Sequence, residues 1–227
     1  MGFTLENVVP WGRSYDEYVA MFDLSADDLK LHILGCGDGP AAFNAGVTER
    51  GGHMVSVDPV YAFSRTQISG RIDDTYLKVM DQLRKNVGAY VWTAFRKPDN
   101  VGDTRMAAMR EFLADYDEGR AEGRYVAGDV QALPFADGAF DLALVSHFLF
   151  LYEAQFPKEF HVAALAELLR VAKAVRVFPI LTLDGRPYPH LSFVREEMKR
   201  LGFVTEVRKV PYEFQRGGDE MLVLRRA

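Results

Sequence analysis

From residue 31 onward, short apolar runs alternate with stretches whose apolar residues recur every three or four positions. Leu31–Leu34, Met54–Val57, Tyr125–Ala127, Leu142–Val145 and Val175–Ile180 are compact runs bounded by turn residues, and they predict buried strands. Pro40–Arg50 and Glu159–Lys173 have helical spacing. Strand and helix in alternation predict a parallel sheet with helices on both faces. The end of the chain differs. After a helical stretch at Leu191–Leu201, Thr205–Val210 and Glu220–Leu224 flank Gly217-Gly218, which predicts an antiparallel hairpin.

Two segments fall outside this alternation. Ser14-Tyr15-Asp16-Glu17 is a capping box, and Tyr15, Tyr18, Val19 and Phe22 follow at helical spacing, so a short helix precedes the first strand. Between the second and third strands lie the 61 residues Tyr61–Ala121, where a crossover needs about a dozen. Ile72, Tyr76, Met80, Leu83 and Val87 predict one helix there. Asp103 is the expected cap of a second, which carries Met106, Met109, Leu113 and Tyr116 and ends at Gly119, with Asn100-Val101-Gly102 as the turn between them. The expected organisation is one domain over 1–227, with an N-terminal helical cap at 1–30 and a helical insertion, or lid, at 61–121.

Composition narrows the function. The chain has 227 residues, 48% hydrophobic and 26% charged, which is globular usage and ample for a core. Its 32 acids against 27 bases give a net charge of −5, so a nucleic-acid partner is not expected. The single cysteine, Cys36, excludes an intramolecular disulfide and a Cys-rich zinc site. No signal pattern opens the sequence and no long apolar run appears, so a cytoplasmic protein with no membrane partner is the expectation.

The most informative stretch is Leu31-His32-Ile33-Leu34-Gly35-Cys36-Gly37-Asp38-Gly39-Pro40. A strand runs into three alternate glycines, and Pro40 is a favoured first helical residue. Glycines let a backbone approach a ligand closely, and a helix N-terminus offers unpaired N–H groups. The second strand ends in Asp58-Pro59, with Asp58 placed to accept both hydroxyls of a ribose lying across the strand ends. The pairing predicts a nucleoside site. A dinucleotide fingerprint wants a third glycine, where this chain has Pro40 or Ala42, and a terminal hairpin is foreign to that fold. A nicotinamide-dependent oxidoreductase is therefore the weaker alternative.

Four pieces in order resemble the class I S-adenosylmethionine-dependent methyltransferases: the glycine loop, Asp58, Ala127-Gly128-Asp129-Val130-Gln131-Ala132-Leu133-Pro134-Phe135, and Phe140-Asp141-Leu142-Ala143-Leu144-Val145-Ser146-His147 with the residues after it. The resemblance covers roughly 31–60 and 122–226. It implies a Rossmann-like, doubly wound, mostly parallel α/β sheet of about seven strands in a three-layer αβα sandwich, ending in an antiparallel hairpin. It also implies S-adenosyl-L-methionine as cofactor. On the same resemblance, Gly35, Cys36, Gly37 and Gly39 hold its methionine end, and Asp58 and Pro59 meet the ribose. Asp129 meets the adenine amino group with the Val130 N–H near the ring, and Ser146 and His147 pass the methionine part. Arg13 or Tyr15, from an N-terminal helix folded over the cofactor, is placed to meet its carboxylate. Two departures stand out. The acid usual before the loop is absent, the position being Ile33 or Gly35, and Asp38 is either its substitute or a solvated loop acid. The Pro-Gly-Gly turn before the fifth strand is also missing. A second alternative is therefore a non-catalytic, cofactor-binding relative.

Methyl transfer from a sulfonium is an in-line displacement with a good leaving group, so positioning supplies most of the acceleration. An acceptor that must lose a proton gains from a base. His147, after the fourth strand, is the first choice for that role or for holding the acceptor; His190, after the fifth, is the second. Tyr152 is a further residue for the same mouth. His32 and His53 read as structural and His161, on the long helix, as a surface residue, and no ligand spacing points to a metal. The insertion carries ten bases against nine acids and ordinary aromatic density, which fits a lid over a small or medium organic acceptor.

Overall fold

The computed structural model describes residues 9–227. The first eight residues of the expected N-terminal cap lie outside the described residues. Seven strands form one sheet: β1 (His32–Cys36), β2 (His53–Val57), β3 (Tyr125–Val126), β4 (Phe140–Ser146), β5 (Ala172–Phe178), β6 (Phe203–Lys209) and β7 (Glu220–Arg226). Their order is β3-β2-β1-β4-β5-β7-β6. The first five run parallel, and β7 inserts antiparallel between β5 and β6. The parallel part is the sheet expected from the alternation of apolar runs, and the whole is the Rossmann-like arrangement that the resemblance implies. Because β1 pairs with β2 on one side and β4 on the other, the chain changes winding direction there, and a crevice opens at the carboxyl ends of those strands.

Side chains alternate across the sheet with period two. Leu34, Cys36, Val57, Ala143 and Val145 face one way and join α5 (Lys158–Val171) in the larger core. Ile33, Met54, Leu142 and Leu144 face the other way, under α1 (Tyr15–Met21) and α2 (Phe43–Glu49). The capping box of α1 forms as the sequence implies: the Glu17 N–H donates to Ser14 Oγ, and the Ser14 N–H donates to Glu17 Oε2. Helix α2 starts three residues later than Pro40. The stretch before it is held instead by the Ala42 N–H, which donates to the Arg13 carbonyl.

The insertion departs from its expected boundaries. Helix α3 spans Arg65–Lys85 with its own capping box, Ser64 to Gln67, and Val87 lies beyond its end. Helix α4 spans Pro98–Ala121 and opens at Pro98, so Asn100-Val101-Gly102 is helix and not a turn. Gly102 has a packing reason instead: a Cβ there would lie 2.6 Å from Tyr76 Oη, so its bareness lets α3 and α4 close together. Gly119 is likewise inside α4, with the Tyr125 ring where its Cβ would be. Helix α4 is also more than a lid. It runs directly toward β3, its Tyr116 hydroxyl donates to the carbonyls of Tyr61 and Phe63, and Asp115 holds Arg124 in a two-pronged ion pair. Helix α6 (Leu191–Arg200) leads into the hairpin.

A buried charge cluster joins three distant parts of the chain. Arg105 on α4, 1% exposed, is ion-paired with Glu17 on α1, and the Tyr212 hydroxyl donates to the same carboxylate at 2.8 Å. Burial alone would raise the Glu17 pKa, but the Arg105 charge and hydrogen bond hold it down to about 2. His161, read from sequence as a surface residue of the long helix, is instead fully buried among Phe150, Phe160 and Tyr188. Burial pushes its imidazole down to about 4.

Candidate active site

The crevice at the carboxyl ends of β1 and β4 opens into a cavity of about 410 Å³, within the usual range for small-molecule sites. Its walls bring together Arg13, Cys36, Gly37, Asp58, Pro59 and Asp129. Val130, Ser146, His147 and Tyr152 line it as well. These residues come from five separate stretches of sequence, and the sheet order is what collects them.

The glycine loop is shaped by conformation as much as by space. Gly37 and Gly39 have φ of +71° and +55°, the left-handed region that favours glycine. A Cβ on Gly37 would also strike the Phe148 ring at 2.8 Å. Gly35 and Gly39 are not among the lining residues: a Cβ on Gly35 would collide with the Asp38 carboxylate, and the Gly39 N–H donates to Asp58. Asp58 ties the loop to β2: Oδ2 accepts from the Gly39 N–H at 2.9 Å and Oδ1 from the Val60 N–H at 2.8 Å. A carboxylate has about four acceptor sites, so about two remain toward the cavity. Burial raises the Asp58 pKa and these two N–H groups oppose the rise. Asp129 is exposed at the rim and accepts from the Gln131 N–H, while Val130 is buried beside it.

Cys36 is buried, and burial raises its thiol pKa well above the ordinary value, so it is a wall residue and not a nucleophile. Asp38 is not the solvated loop acid of the sequence-based alternative. Only 8% exposed, it folds back over Gly35 and accepts from Ser56 Oγ at 2.7 Å and the Tyr18 hydroxyl at 2.9 Å. Burial and the nearby Asp58 charge push it up to about 7 against those two hydrogen bonds. The sequence carried no sign of Tyr18 as its partner.

Arg13 reaches the cavity from the segment before α1. Its Nη1 donates to the Trp11 carbonyl, and its buried Nε has no partner among the described residues. Burial and the Arg105 charge lower its pKa to about 10. A half-buried guanidinium with an unpartnered Nε and a second cation beside it is suited to an anionic ligand group. Gly12 brings this segment onto the loop: a Cβ there would lie 1.9 Å from the Pro40 carbonyl oxygen. Tyr15 does not share the cavity. One turn of α1 away from the buried Tyr18, it packs on Phe43 at 5.4 Å, under the Arg50 guanidinium.

His147 has a left-handed φ of +51°, and its N–H donates to the Phe178 carbonyl at 2.7 Å. Its Nδ1 lies 3.0 Å from Ser146 Oγ, and its ring meets the Phe178 edge. Burial, then the Arg13 and Arg105 charges, push its pKa well below the imidazole range, so the ring is neutral at physiological pH. His190 is exposed at the start of α6 and does not line the cavity, because the loop after β5 carries it outward past Tyr188. The Tyr152 hydroxyl accepts from the Val9 N–H. Beyond the strand ends, the lining continues through Val79, Leu83 and Tyr90 of the insertion and Phe214 before the hairpin's second strand. Sequence spacing alone does not place these four together.

Comparison with known proteins follows the same lines. A methyltransferase-domain family model matches residues 103–175. An uncharacterized protein of Methanocaldococcus jannaschii is 31% identical over 227 residues, covering 98% of each chain. The crystal structure of a Pyrococcus horikoshii protein superposes with a TM-score of 0.50 at 13% identity, covering 94% of this chain and 91% of that one. Magnesium protoporphyrin IX methyltransferase of Synechocystis, solved with bound S-adenosylhomocysteine, gives 0.49 at 14% identity over 94% and 82%. This chain belongs to the class I S-adenosylmethionine-dependent methyltransferases. Its cofactor is S-adenosyl-L-methionine. The donor set fits that molecule: a strand-end carboxylate with free acceptor sites, a half-buried guanidinium with an orphan Nε–H, and a bare glycine loop. Among the described residues no helix is long and apolar enough to cross a membrane.

Proposed function

We propose that the chain transfers the cofactor's methyl group to a small or medium organic acceptor bound under the helical insertion. The observation that carries this reading is the continuity of the cavity. One enclosure runs from Asp58 and Asp129 past Arg13 and His147 to an apolar wall of Val79, Leu83, Tyr90 and Phe214. In this reading Asp58 accepts from the ribose hydroxyls, Asp129 and the Val130 N–H meet the adenine, and Arg13 takes the carboxylate. The bound cofactor supplies an electrophilic methyl group on a sulfonium. The protein orients the acceptor and excludes water, which the buried walls and the α3–α4 cover do. Neutral His147 takes a proton from a protic acceptor at its Nε2.

The absence of an acid at Ile33 or Gly35 favours a second reading, a cofactor-binding protein without turnover. Both are tested by incubating the chain with methyl-labelled S-adenosylmethionine and a small-molecule fraction, then searching by mass spectrometry for labelled products. Label in a small molecule with matching S-adenosylhomocysteine supports the first. Binding with no labelled product across such fractions supports the second, and label in protein alone would refute the small acceptor.

A further inference from the structure

The apolar end of the cavity is built on one aromatic cluster. Tyr90 and Phe214 stack with centroids 4.7 Å apart and planes at 26°. Trp92 and Phe95 stand edge-on to Phe214 at 5.9 Å and 5.2 Å. Leu83 of α3 and Val101 of α4 belong to the same cluster. Its place relative to His147 is set by hydrogen bonds between loops. The loop after β4 is tied to the loop after β5, where the Leu183 N–H donates to the Leu151 carbonyl at 2.9 Å. Gln215 Nε2 donates to the Leu183 carbonyl at 3.2 Å, and the Val91 N–H donates to the Phe214 carbonyl at 2.8 Å. The loop that begins at His147 is thereby stitched, step by step, to Tyr90.

Charge is sorted along the cavity. Among the described residues its lining acids are Asp38, Asp58 and Asp129, which lie in the glycine loop and after β2 and β3. No acid lines the wall from Leu151 through Leu183 and Phe214 to Tyr90. The lining cations are Arg13 and Arg71, and Arg71 packs over the Phe63 ring at 3.8 Å, shortly after Asp58 in the chain. Three properties of an acceptor follow. An ammonium group would leave water for a wall without a counter-charge. Aromatic faces take a flat ring in offset or edge-on contact. A base as weak as His147, whose protonation burial, Arg13 and Arg105 oppose, serves only an acidic hydroxyl. A phenol ionises near about 10, whereas bulk water, which an aliphatic hydroxyl resembles, ionises near about 15.7.

We propose that the methyl acceptor is an uncharged phenol, with its ring against Tyr90 and Phe214 and its hydroxyl at His147. This rests on the reading of the cavity as a methyl-transfer site and names the acceptor class for it. The phenol oxygen forms its bond to the methyl carbon as the carbon–sulfur bond breaks, and that bond's electron pair stays on sulfur as a neutral thioether. The hydroxyl proton goes to His147 Nε2, so the products are a methyl ether, the thioether and a protonated base. The cations that oppose an imidazolium favour the phenolate that forms on the way, so the same field that weakens the base acidifies its substrate. An aliphatic alcohol gains too little from that field, and an ammonium acceptor is repelled by it.

The test incubates the full chain and S-adenosylmethionine with phenol, 2-naphthol, benzylamine, benzoate or cyclohexanol, measuring both S-adenosylhomocysteine release and the methylated product. Phenol or 2-naphthol should give its methyl ether with kcat/KM at least about tenfold above the other three probes. Phe214→Leu and Tyr90→Leu each remove one ring of the wall. Each should lower kcat/KM for the phenols by about 2- to 10-fold while S-adenosylhomocysteine affinity stays at the parent value. Preferred methylation of benzylamine, benzoate or cyclohexanol would overturn the proposal. So would failure of both phenols to react, or parent kcat/KM in whichever of the two variants folds. Titrating the parent with S-adenosylhomocysteine separates the two levels. No binding there would sink the methyl-transfer reading itself, whereas binding without reaction of either phenol overturns the phenol alone.

Discussion

Replacing Asp58 by alanine tests how the nucleoside end of the cavity is built. The carboxylate has two jobs in the structure: it holds the Gly39 and Val60 N–H groups, and it offers its remaining acceptor sites to the cavity. Each hydrogen bond from a ribose hydroxyl to this charged acceptor is worth about 1.5–3 kcal/mol, so affinity falls by about 10- to 150-fold per bond lost. Water entering the truncated site recovers part of that. Losing the partner of two backbone N–H groups costs stability as well, about 1–3 kcal/mol for a group left unsatisfied. Asp58→Asn is not the gentle control it first looks, because its amide NH₂ must face one of those two N–H donors. The informative assay is a double cycle: calorimetric titration of parent and Asp58→Ala with S-adenosylhomocysteine and with its 2′-deoxy analogue, below the unfolding transition of both. The parent should discriminate between the ligands and the variant should not, with a coupling of about 1.5–3 kcal/mol. Equal discrimination by a folded Asp58→Ala protein would show that Asp58 serves the loop alone.

Glu17→Gln removes the carboxylate that Arg105 and Tyr212 share, leaving buried guanidinium groups without an anion. Stability should drop by about 3–5 kcal/mol, read as a lower midpoint in thermal unfolding, and an unchanged midpoint would mean water already solvates the pair. Asp38 has a folded-state pKa of about 7 against an ordinary 3.8, so the unfolded chain releases this proton first. Its contribution to stability therefore falls as pH rises from about 4 to about 7 and stays flat above. Asp38→Asn should gain on the parent by about 2–3 kcal/mol between about pH 5 and pH 8 in denaturant titrations, and a constant difference would contradict the buried acid. His147→Ala should lower methyl transfer, once an acceptor is in hand, far more than it lowers S-adenosylhomocysteine affinity; unchanged turnover would reduce His147 to a wall residue.

What could be read from the sequence was local. The glycine loop, Asp58 and the Ser14–Glu17 capping box depend on neighbours a few residues apart, so type and spacing reveal them. Gly102 misled because glycine marks both turns and close helix crossings, and only the approach of Tyr76 tells which. The two tyrosines of α1 show the limit of a short helix pattern: Tyr15 and Tyr18 are equally aromatic, yet only Tyr18 turns into the cavity. Glu17 was legible as a cap but not as the partner of Arg105 and Tyr212, which lie 88 and 195 residues away. His161 followed helical spacing like any surface residue, and its burial comes from Tyr188 on a loop after another strand.

In the proposed reading, one cavity binds the methyl donor through its strand-end acid Asp58 and the half-buried Arg13. The most direct measurement is calorimetric titration of the unmodified chain with S-adenosylmethionine, S-adenosylhomocysteine and NAD in parallel. The expected result is one site for each of the two sulfur ligands and no heat from NAD. Saturable NAD binding with none for either sulfur ligand would contradict it.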